Sequence, residues 1–269
     1  MYERSIVAVL RTRMKEPLGL MQVLVGPRQT GKSTALKQAS TGLDIPLHSV
    51  SADFADADWL RVEWQQARNI VAAQGEAILI VDEVQKIEGW SNVVKELWDE
   101  DRRNDVNLKV FLSGSSSLLL SKGLDEALTG RFEMLYCLQW RYAECRDAFG
   151  YTLDEFVFFG GYPRAASFAK DEDRWRRFMK ESIIEPTISQ DVLALAPIKK
   201  PALMRALFTL GVQYSAQELS YTKMLGQLQD AGNTVTIAEY LNLLSLAGML
   251  SGLQKFDERK ASSRKSSPR

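Results

Sequence analysis

Nine consecutive residues near the amino terminus have the types and spacing that bind a polyphosphate. They are Gly26, Pro27, Arg28, Gln29, Thr30, Gly31, Lys32, Ser33 and Thr34. Gly26 and Gly31 allow a tight loop whose backbone N–H groups converge, and the amino end of a following helix adds partial positive charge. Lys32 would reach the β and γ phosphates, and the Ser33 hydroxyl would bind Mg²⁺. We therefore predict that residues 26–34 bind a nucleotide.

An acidic pair, Asp82 and Glu83, follows the apolar run 78–81. A buried strand that ends in an acid delivers that acid beside the phosphate loop when the sheet is parallel. Asp82 would hold Mg²⁺, usually through water, and Glu83 would orient or deprotonate an attacking water. Two solvated loop acids are the alternative, but the neighbouring phosphate loop favours a site that hydrolyses the nucleotide.

Two serines and one arginine follow later elements. Ser113 and Ser115 come after a further predicted strand, where they could sense the γ-phosphate or its water, although serine is also an ordinary turn residue. Arg131 precedes the fifth predicted strand and could reach the γ-phosphate of a neighbouring subunit as an arginine finger. A surface arginine without a role is the alternative for Arg131.

The first half of the chain alternates short apolar runs with helical periodicity, the pattern of a parallel sheet covered by helices. Strands are predicted at 20–25, 46–51, 78–81, 109–113 and 133–138, and helices at 32–40, 59–74, 91–103 and 118–128. Ser91 is the predicted N-cap of the third helix. The predicted fold class is α/β, with residues 1–139 as the nucleotide-binding core.

From residue 140 onward the pattern is almost entirely helical. Residues 140–196 are the predicted helical lid, interrupted by the breaker 160–163. Residues 197–256 have helix signals at 202–214, 220–228 and 236–247 and then a short apolar run, an order that indicates a winged helix. Residues 257–269 are rich in Ser, Lys and Arg and are predicted to form a disordered basic tail.

The composition narrows the classes of partner. The 269-residue chain has 34 Lys+Arg and 34 Asp+Glu, so its net charge gives no reason to expect nucleic acid or an anionic membrane. Its apolar runs are far shorter than the roughly 20 residues that span a bilayer, and it begins without a signal-peptide core, which predicts a cytoplasmic protein. The single histidine, His48, excludes multi-histidine metal sites, and Cys137 and Cys145 are expected to be reduced thiols.

The motifs together carry a family resemblance over nearly the whole chain. The segments 26–33, 81–90, 112–116 and Gly160-Gly161-Tyr162-Pro163 resemble the predicted prokaryotic AAA-type ATPases. More narrowly, they are similar to the group whose ATPase core is followed by domain of unknown function 4143. Members of that group usually continue into a domain resembling the restriction-endonuclease fold, so we expect this chain to be a shortened version.

The resemblance implies an AAA-type core with ATP and Mg²⁺ as its cofactors. It implies that Lys32 and Ser33 bind phosphate and Mg²⁺, that Asp82 is a Mg²⁺ ligand and that Glu83 is the catalytic base. It also implies a sensor at Ser113 or Ser115, a finger at Arg131 and a lid in which Pro163 packs on adenine. A simple helix break is the alternative for Pro163.

Three functions fit these observations. The first is an ATP-driven conformational switch, working as a homo-oligomer or latent until a protein partner supplies an arginine. The second is a regulator that binds DNA through residues 236–246, although that segment contains Glu239 and no Lys or Arg. The third is a small-molecule kinase, which Glu83 beside Asp82 disfavours because that acid favours water as the acceptor.

Overall fold

The computed structural model describes residues 2–114, 127–193, 198–229 and 232–253. The chain forms two compact units, Met1–Arg176 and Arg177–Arg269. The first unit contains the phosphate loop. The domain boundaries predicted at 139, 196 and 256 stay predictions.

A five-stranded parallel sheet forms the centre of the first unit. The strands are β1 Met21–Val25, β2 Leu47–Ser51, β3 Ala77–Asp82, β4 Leu108–Gly114 and β5 Phe132–Tyr136, in the order β2-β3-β4-β1-β5. Each lies within two residues of its predicted bounds. The parallel α/β fold is therefore confirmed, and β1, which leads into the phosphate loop, lies between β4 and β5.

Four helices cover the two faces of this sheet. They are α1 Ser5–Lys15, α2 Lys32–Ser40, α3 Ala57–Gln74 and α4 Trp90–Arg103. The bounds of α2 were predicted correctly because the phosphate loop fixes its start. The sequence analysis missed α1, although Val7, Leu10 and Met14 repeat at helical spacing and are buried. The predicted helix 118–128 lies mostly outside the described residues.

The N-cap predicted for α4 is wrong. The capping position is held by Gly89, whose φ of 68° is left-handed, and Ser91 lies buried inside the first turn of the helix. Ser91 is an ordinary capping residue by type, but glycine adopts, at little cost, the left-handed conformation that the chain has at the start of α4. The backbone turn therefore decided the helix start.

Both faces of β1 are buried, which explains its continuous apolar run. Val23 and Val25 join a cluster with Trp64 of α3 and Leu97 of α4. Leu24, which points to the opposite face, joins a cluster with side chains of α1 and α2. The phosphate loop therefore extends from a strand that is buried along its whole length, which holds the first residue of the loop in place.

The rest of the first unit is helical, as predicted. It contains α5 Tyr142–Phe149, α6 Leu153–Phe159, a 3-10 turn at Ala165–Phe168 and most of α7 Glu172–Phe178, whose last two residues belong to the second unit. Thr152 and Glu155 form a capping box that starts α6. The Gly160–Pro163 breaker follows α6 directly, so it ends that helix as the sequence indicated.

The second unit is also helical over its described residues. Two π-helical segments, Met179–Ile184 and Thr187–Val192, precede α8 Pro201–Gln213, α9 Tyr221–Gln227 and α10 Thr234–Leu246. Leu207, Ile237 and Leu244 are buried in its core. The three helices match the predicted ones within two residues, but residues 250–253 are not a strand and 254–256 lie outside the described residues. The winged-helix assignment is not confirmed.

Candidate functional site

The phosphate loop, residues 26–33, lies between the carboxyl end of β1 and the start of α2. A Cβ atom on Gly26 would lie 2.1 Å from the carbonyl oxygen of Cys137, so only glycine fits beside the residue that follows β5. Gly31 has a φ of 95°, a conformation that glycine adopts without strain. The Thr30 hydroxyl donates toward the carbonyl oxygens of Pro27 and Cys137, at 3.0 and 2.8 Å. The loop is therefore supported from β5.

Lys32 is the first residue of α2 and is only 5% exposed. Its ammonium Nζ donates to the carbonyl oxygens of Gly26 and Pro27, at 2.9 and 2.8 Å. A buried ammonium needs such partners because its desolvation is costly. The loop therefore holds one positive charge against its own backbone, where a phosphate oxygen bound by the loop could contact it.

The side chains of Ser33 and Ser113 meet on the carboxylate of Asp82. Ser33 Oγ donates to Asp82 Oδ2, and the fully buried Ser113 donates to Asp82 Oδ1. The backbone N–H of Glu83 donates to the same Oδ1 at 3.0 Å. The parallel register explains the meeting, because Val81 of β3 lies opposite Leu112 of β4 and both strands end at one edge of the sheet.

These groups fit a Mg²⁺ ion. Mg²⁺ prefers oxygen ligands and is usually held by one or two carboxylates or hydroxyls, several waters and the substrate phosphates. Ser33 and Asp82 offer a hydroxyl and a carboxylate within hydrogen-bonding distance of each other and next to the phosphate loop. Among the described residues, no group of three or more His, Cys, Asp or Glu side chains could hold a metal by itself. Phosphate oxygens would therefore have to complete the coordination.

Glu83 stands directly after β3 in a left-handed backbone conformation, with a φ of 55°. Such a conformation is uncommon for a residue with a side chain and recurs at functional sites. Its Oε2 accepts a hydrogen bond from Gln85 Nε2 at 2.6 Å, and Gln85 is buried. The turn therefore orients the Glu83 carboxylate through a neighbouring amide at the edge where Asp82 lies.

The other residues predicted to bind the nucleotide differ in their surroundings. Thr34 is exposed in the first turn of α2, Gln29 is exposed, and Arg28 is partly buried. Pro163 is partly buried in the turn after α6. Ser115 lies outside the described residues. The nucleotide contacts of these five residues stay predictions.

Arg131 lies at the amino ends of the strands, whereas the phosphate loop lies at their carboxyl ends. Its carbonyl oxygen accepts from the N–H of Met21, at the amino end of β1, whereas the loop follows the carboxyl end five residues later. That length of strand rises roughly 16 Å. The Arg131 guanidinium donates to both carboxylate oxygens of Asp99, at 2.7 and 3.0 Å, and lowers the pKa of that carboxyl. Within one chain, Arg131 is therefore remote from the loop.

Some side chains that contact the phosphate loop were not predicted from the sequence. Arg4 donates to the carbonyl oxygen of Thr30 and forms a buried ion pair with Glu144. Trp140 donates its indole N–H to the same carbonyl oxygen at 3.1 Å, and its backbone N–H donates to Gly161 at 2.8 Å. No short-range signal links residues 4, 30 and 140, so only the fold brings them together.

Each half of the chain matches a different protein-family model. Residues 19–145 match the family model described as AAA domain, and residues 150–269 match the model described as Domain of unknown function (DUF8612). The amino-terminal half is therefore similar to an AAA domain. The expected group with domain of unknown function 4143 is not confirmed, because the carboxyl-terminal half matches the model of a different domain of unknown function.

The proteins similar to the chain include two curated relatives and one solved structure at the level of the fold. An uncharacterized protein of Methanocaldococcus jannaschii is 27% identical over 198 residues, covering 66% of this chain and 43% of that protein. An uncharacterized protein of Haemophilus influenzae is 22% identical over 261 residues, covering 89% of this chain and 63% of that protein. The chain thus spans less than two thirds of either relative.

The solved structure is the Walker-type ATPase PABY2304 of Pyrococcus abyssi. It superposes with a TM-score of 0.64 at 15% identity, over 95% of this chain and 91% of its own. At that identity the likeness shows the fold alone. Within the described part of the chain, no helix is both long and apolar enough to cross a membrane.

Proposed function

We propose that the AAA-type domain over residues 19–145 binds ATP with Mg²⁺ and hydrolyses it. The observation that carries the proposal is the convergence of Ser33 and Ser113 on Asp82 beside the phosphate loop. Lys32 would contact the β and γ phosphates, Ser33 and Asp82 would hold Mg²⁺, and Ser113 would sense the γ-phosphate. Bound Mg²⁺ would neutralise charge on the phosphates as the terminal phosphoryl group leaves.

Glu83 is the proposed base for the attacking water. Its carboxylate stands one residue after the proposed Mg²⁺ ligand, and its hydrogen bond from Gln85 fixes its direction. Proton transfer by a positioned side chain contributes typically 10²- to 10⁴-fold in rate. Glu83→Gln should therefore lower phosphate release by about 10² or more while nucleotide affinity changes little.

The test is Mg²⁺-dependent phosphate release by the purified chain, measured with ATP and with GTP. Lys32→Ala should weaken nucleotide binding, and Glu83→Gln should bind but not turn over. Lys15→Ala is the matched control, because this exposed lysine lies in the last turn of α1, shortly before the amino end of β1. Wild-type affinity and turnover in Lys32→Ala would refute the proposal.

A conformational switch is the proposed use of the hydrolysis. Trp140 supports it, since its indole bonds the phosphate loop while its backbone bonds Gly161, two residues before Pro163. Trp140 therefore connects the phosphate loop with residues 160–163 of the predicted lid. A change at the phosphates would be transmitted through Trp140 to Pro163. Protection of the backbone amides of residues 160–162 from hydrogen exchange should differ between the ATP-bound Glu83→Gln variant and the ADP-bound wild type, and equal protection would contradict the switch.

A second copy of the chain, or a protein partner, is proposed to supply an arginine. Arg131 is too far from its own loop to act there but could act on a neighbour's γ-phosphate. Phosphate release per subunit should then rise with protein concentration and lose that rise in Arg131→Ala. A release rate per subunit that is independent of concentration in the wild type would refute action between copies of the chain.

Phosphoryl transfer to a small molecule is the second candidate, because a cavity adjoins the proposed Mg²⁺ site. It has a volume of about 330 Å³ and is lined by Ser33, Leu36, Lys37, Ser40, Leu47, Ser49, Ile80 and Asp82. Water as the acceptor requires that phosphate released equals ATP consumed. A shortfall of phosphate in cell extract, with a new phosphorylated product, would favour a kinase.

DNA binding receives no support from the described part of the second unit. Helix α10, which includes the candidate recognition segment 236–246, contains Glu239 and no Lys or Arg. The basic residues of the predicted tail lie outside the described residues.

The cytoplasm is the proposed location of the protein. Cys137 and Cys145 are free, buried thiols, and a reducing compartment would keep them reduced.

A further inference from the structure

The carbonyl oxygen of Thr30 is held by two side chains from distant parts of the chain. Arg4 Nη1 donates to it at 3.2 Å, and Trp140 Nε1 donates to it at 3.1 Å. A trans peptide is planar, so its N–H points opposite to its C=O, and no cis peptide occurs among the described residues. The N–H of Gly31 therefore points away from Arg4 and Trp140.

This peptide has little of its own to keep it in that orientation. Gly31 adopts a φ of 95°, and glycine populates positive and negative φ about equally. Gln29, two residues earlier, also has a positive φ of 59°. Rotation of the peptide between Thr30 and Gly31 would turn the Gly31 N–H to the other side of the loop. External hydrogen bonds are therefore needed to select one orientation.

Arg4 is itself fixed in place by every side of its guanidinium. Nε and Nη2 donate to the two carboxylate oxygens of Glu144 at 2.9 and 3.0 Å, and Nη1 also donates to Cys137 Sγ at 3.2 Å. The guanidinium carbon lies 5.3 Å from the ring centroid of Trp140. Arg4 is 8% exposed and Glu144 is 7% exposed. A buried bidentate pair of this kind has a fixed geometry.

We propose that Arg4 and Trp140 are positioning residues of the nucleotide site, which hold the Thr30–Gly31 peptide so that the Gly31 N–H points at the bound phosphates. Glu144 has the supporting role of holding Arg4. The inference rests on the proposed nucleotide binding. It assigns to the phosphate site the residue before α1 and the residues at the start of α5. No motif in the sequence indicates that these two segments belong to the site.

The test is calorimetric binding of inorganic pyrophosphate and of ADP, each with Mg²⁺, to the full chain. Trp140→Phe keeps an aromatic ring, although a smaller one, and removes the indole N–H donor, and it should weaken both ligands by about fivefold. Arg4→Gln should weaken both by about tenfold or more, and Arg4→Lys, which keeps one charged donor, should restore part of the loss. Equal factors for the two ligands are expected because the defect lies at the phosphates.

Arg11→Gln is the matched control. Arg11 is another arginine near the amino terminus and lies in α1. It forms an ion pair with Glu3 and donates to the carbonyl oxygen of Gln38 on α2, away from the loop. It should leave both affinities unchanged. The melting temperature of each variant is measured to show that it is folded. If Arg4→Gln is too unstable to purify, the affinities of Trp140→Phe provide the test.

The outcomes separate the two proposals. A wild-type chain that binds neither ligand overturns the nucleotide-binding function, and this inference with it. A wild-type chain that binds both, with folded Trp140→Phe and Arg4→Gln binding as tightly, overturns the inference alone. A loss for ADP without a loss for pyrophosphate also overturns it, because the contact would then concern the nucleoside.

Discussion

Replacing Gly26 with alanine should damage both the stability and the phosphate binding of the first unit. The added methyl would stand 2.1 Å from the carbonyl oxygen of Cys137, where ordinary van der Waals contact begins near 3.4 Å. The two backbone segments would therefore have to separate by about 1.3 Å. Neither is free to move, because the Thr30 hydroxyl bonds Cys137 and β1 is buried on both faces.

The size of the effect follows from that overlap. Overpacking that forces backbone shifts costs typically about 1–3 kcal/mol. For a unit of this size the melting temperature should fall by about 2 to 12 °C. Because the displaced loop no longer directs its N–H groups at one point, the affinity for ADP with Mg²⁺ should fall at least tenfold, or about 1.4 kcal/mol.

The assay is thermal unfolding by circular dichroism together with calorimetric binding of ADP. Gly19→Ala is the control in the same unit, because its added Cβ would meet only the carbonyl oxygen of Pro17, at an ordinary 3.7 Å. It should leave both measurements close to wild type. Gly26→Ala with unchanged melting temperature and unchanged affinity would show that the contact with Cys137 does not constrain the loop.

Three further predictions concern other groups. Trp64→Phe removes the indole donor to the buried Asp101 at 2.7 Å and should cost about 1–3 kcal/mol in urea unfolding without changing nucleotide affinity; an unchanged midpoint would contradict it. Arg131→Ala breaks a partly exposed ion pair with Asp99 and should cost under about 1 kcal/mol, so a larger loss would argue for a structural role. Burial opposes ionisation of Glu144, but hydrogen bonds from Arg4 lower the pKa of its carboxyl in the folded chain. Its contribution to stability is therefore present above the pKa of the unfolded chain and is lost as pH falls through the lower pKa of the folded chain. Unfolding free energies at pH 6 and pH 3 should therefore differ less in Glu144→Gln than in wild type, and equal differences would refute the argument.

Local signals predicted most of the core. The phosphate loop, the five strands and α2 depend on residue types at short spacing, and the parallel sheet then determines that Asp82 and Ser113 end at one edge. Helix α1 had an equally local signal in Val7, Leu10 and Met14, which the sequence analysis passed over.

Contacts between distant residues were beyond such signals. Arg4 and Glu144 are separated by 140 positions, and neither has a neighbour in sequence that marks it as buried. The partner of Arg131, Asp99, was also hidden, because it depends on how α4 packs beside the start of β5. The start of α4 was misjudged because the backbone at Gly89, rather than the capping preference of Ser91, determines it.

The support of the phosphate loop by Cys137 and Glu144 has a consequence for the order of folding during synthesis. Thr30 bonds a residue 107 positions later, and Arg4 bonds one 140 positions later. While the ribosome is still making β2 to β4, the loop therefore has neither its supporting strand nor its buried ion pair. Chains rich in such distant contacts fold slowly and expose apolar surface meanwhile. A nascent chain stopped before residue 132 should accordingly bind no nucleotide, whereas one extended past α5 should bind it.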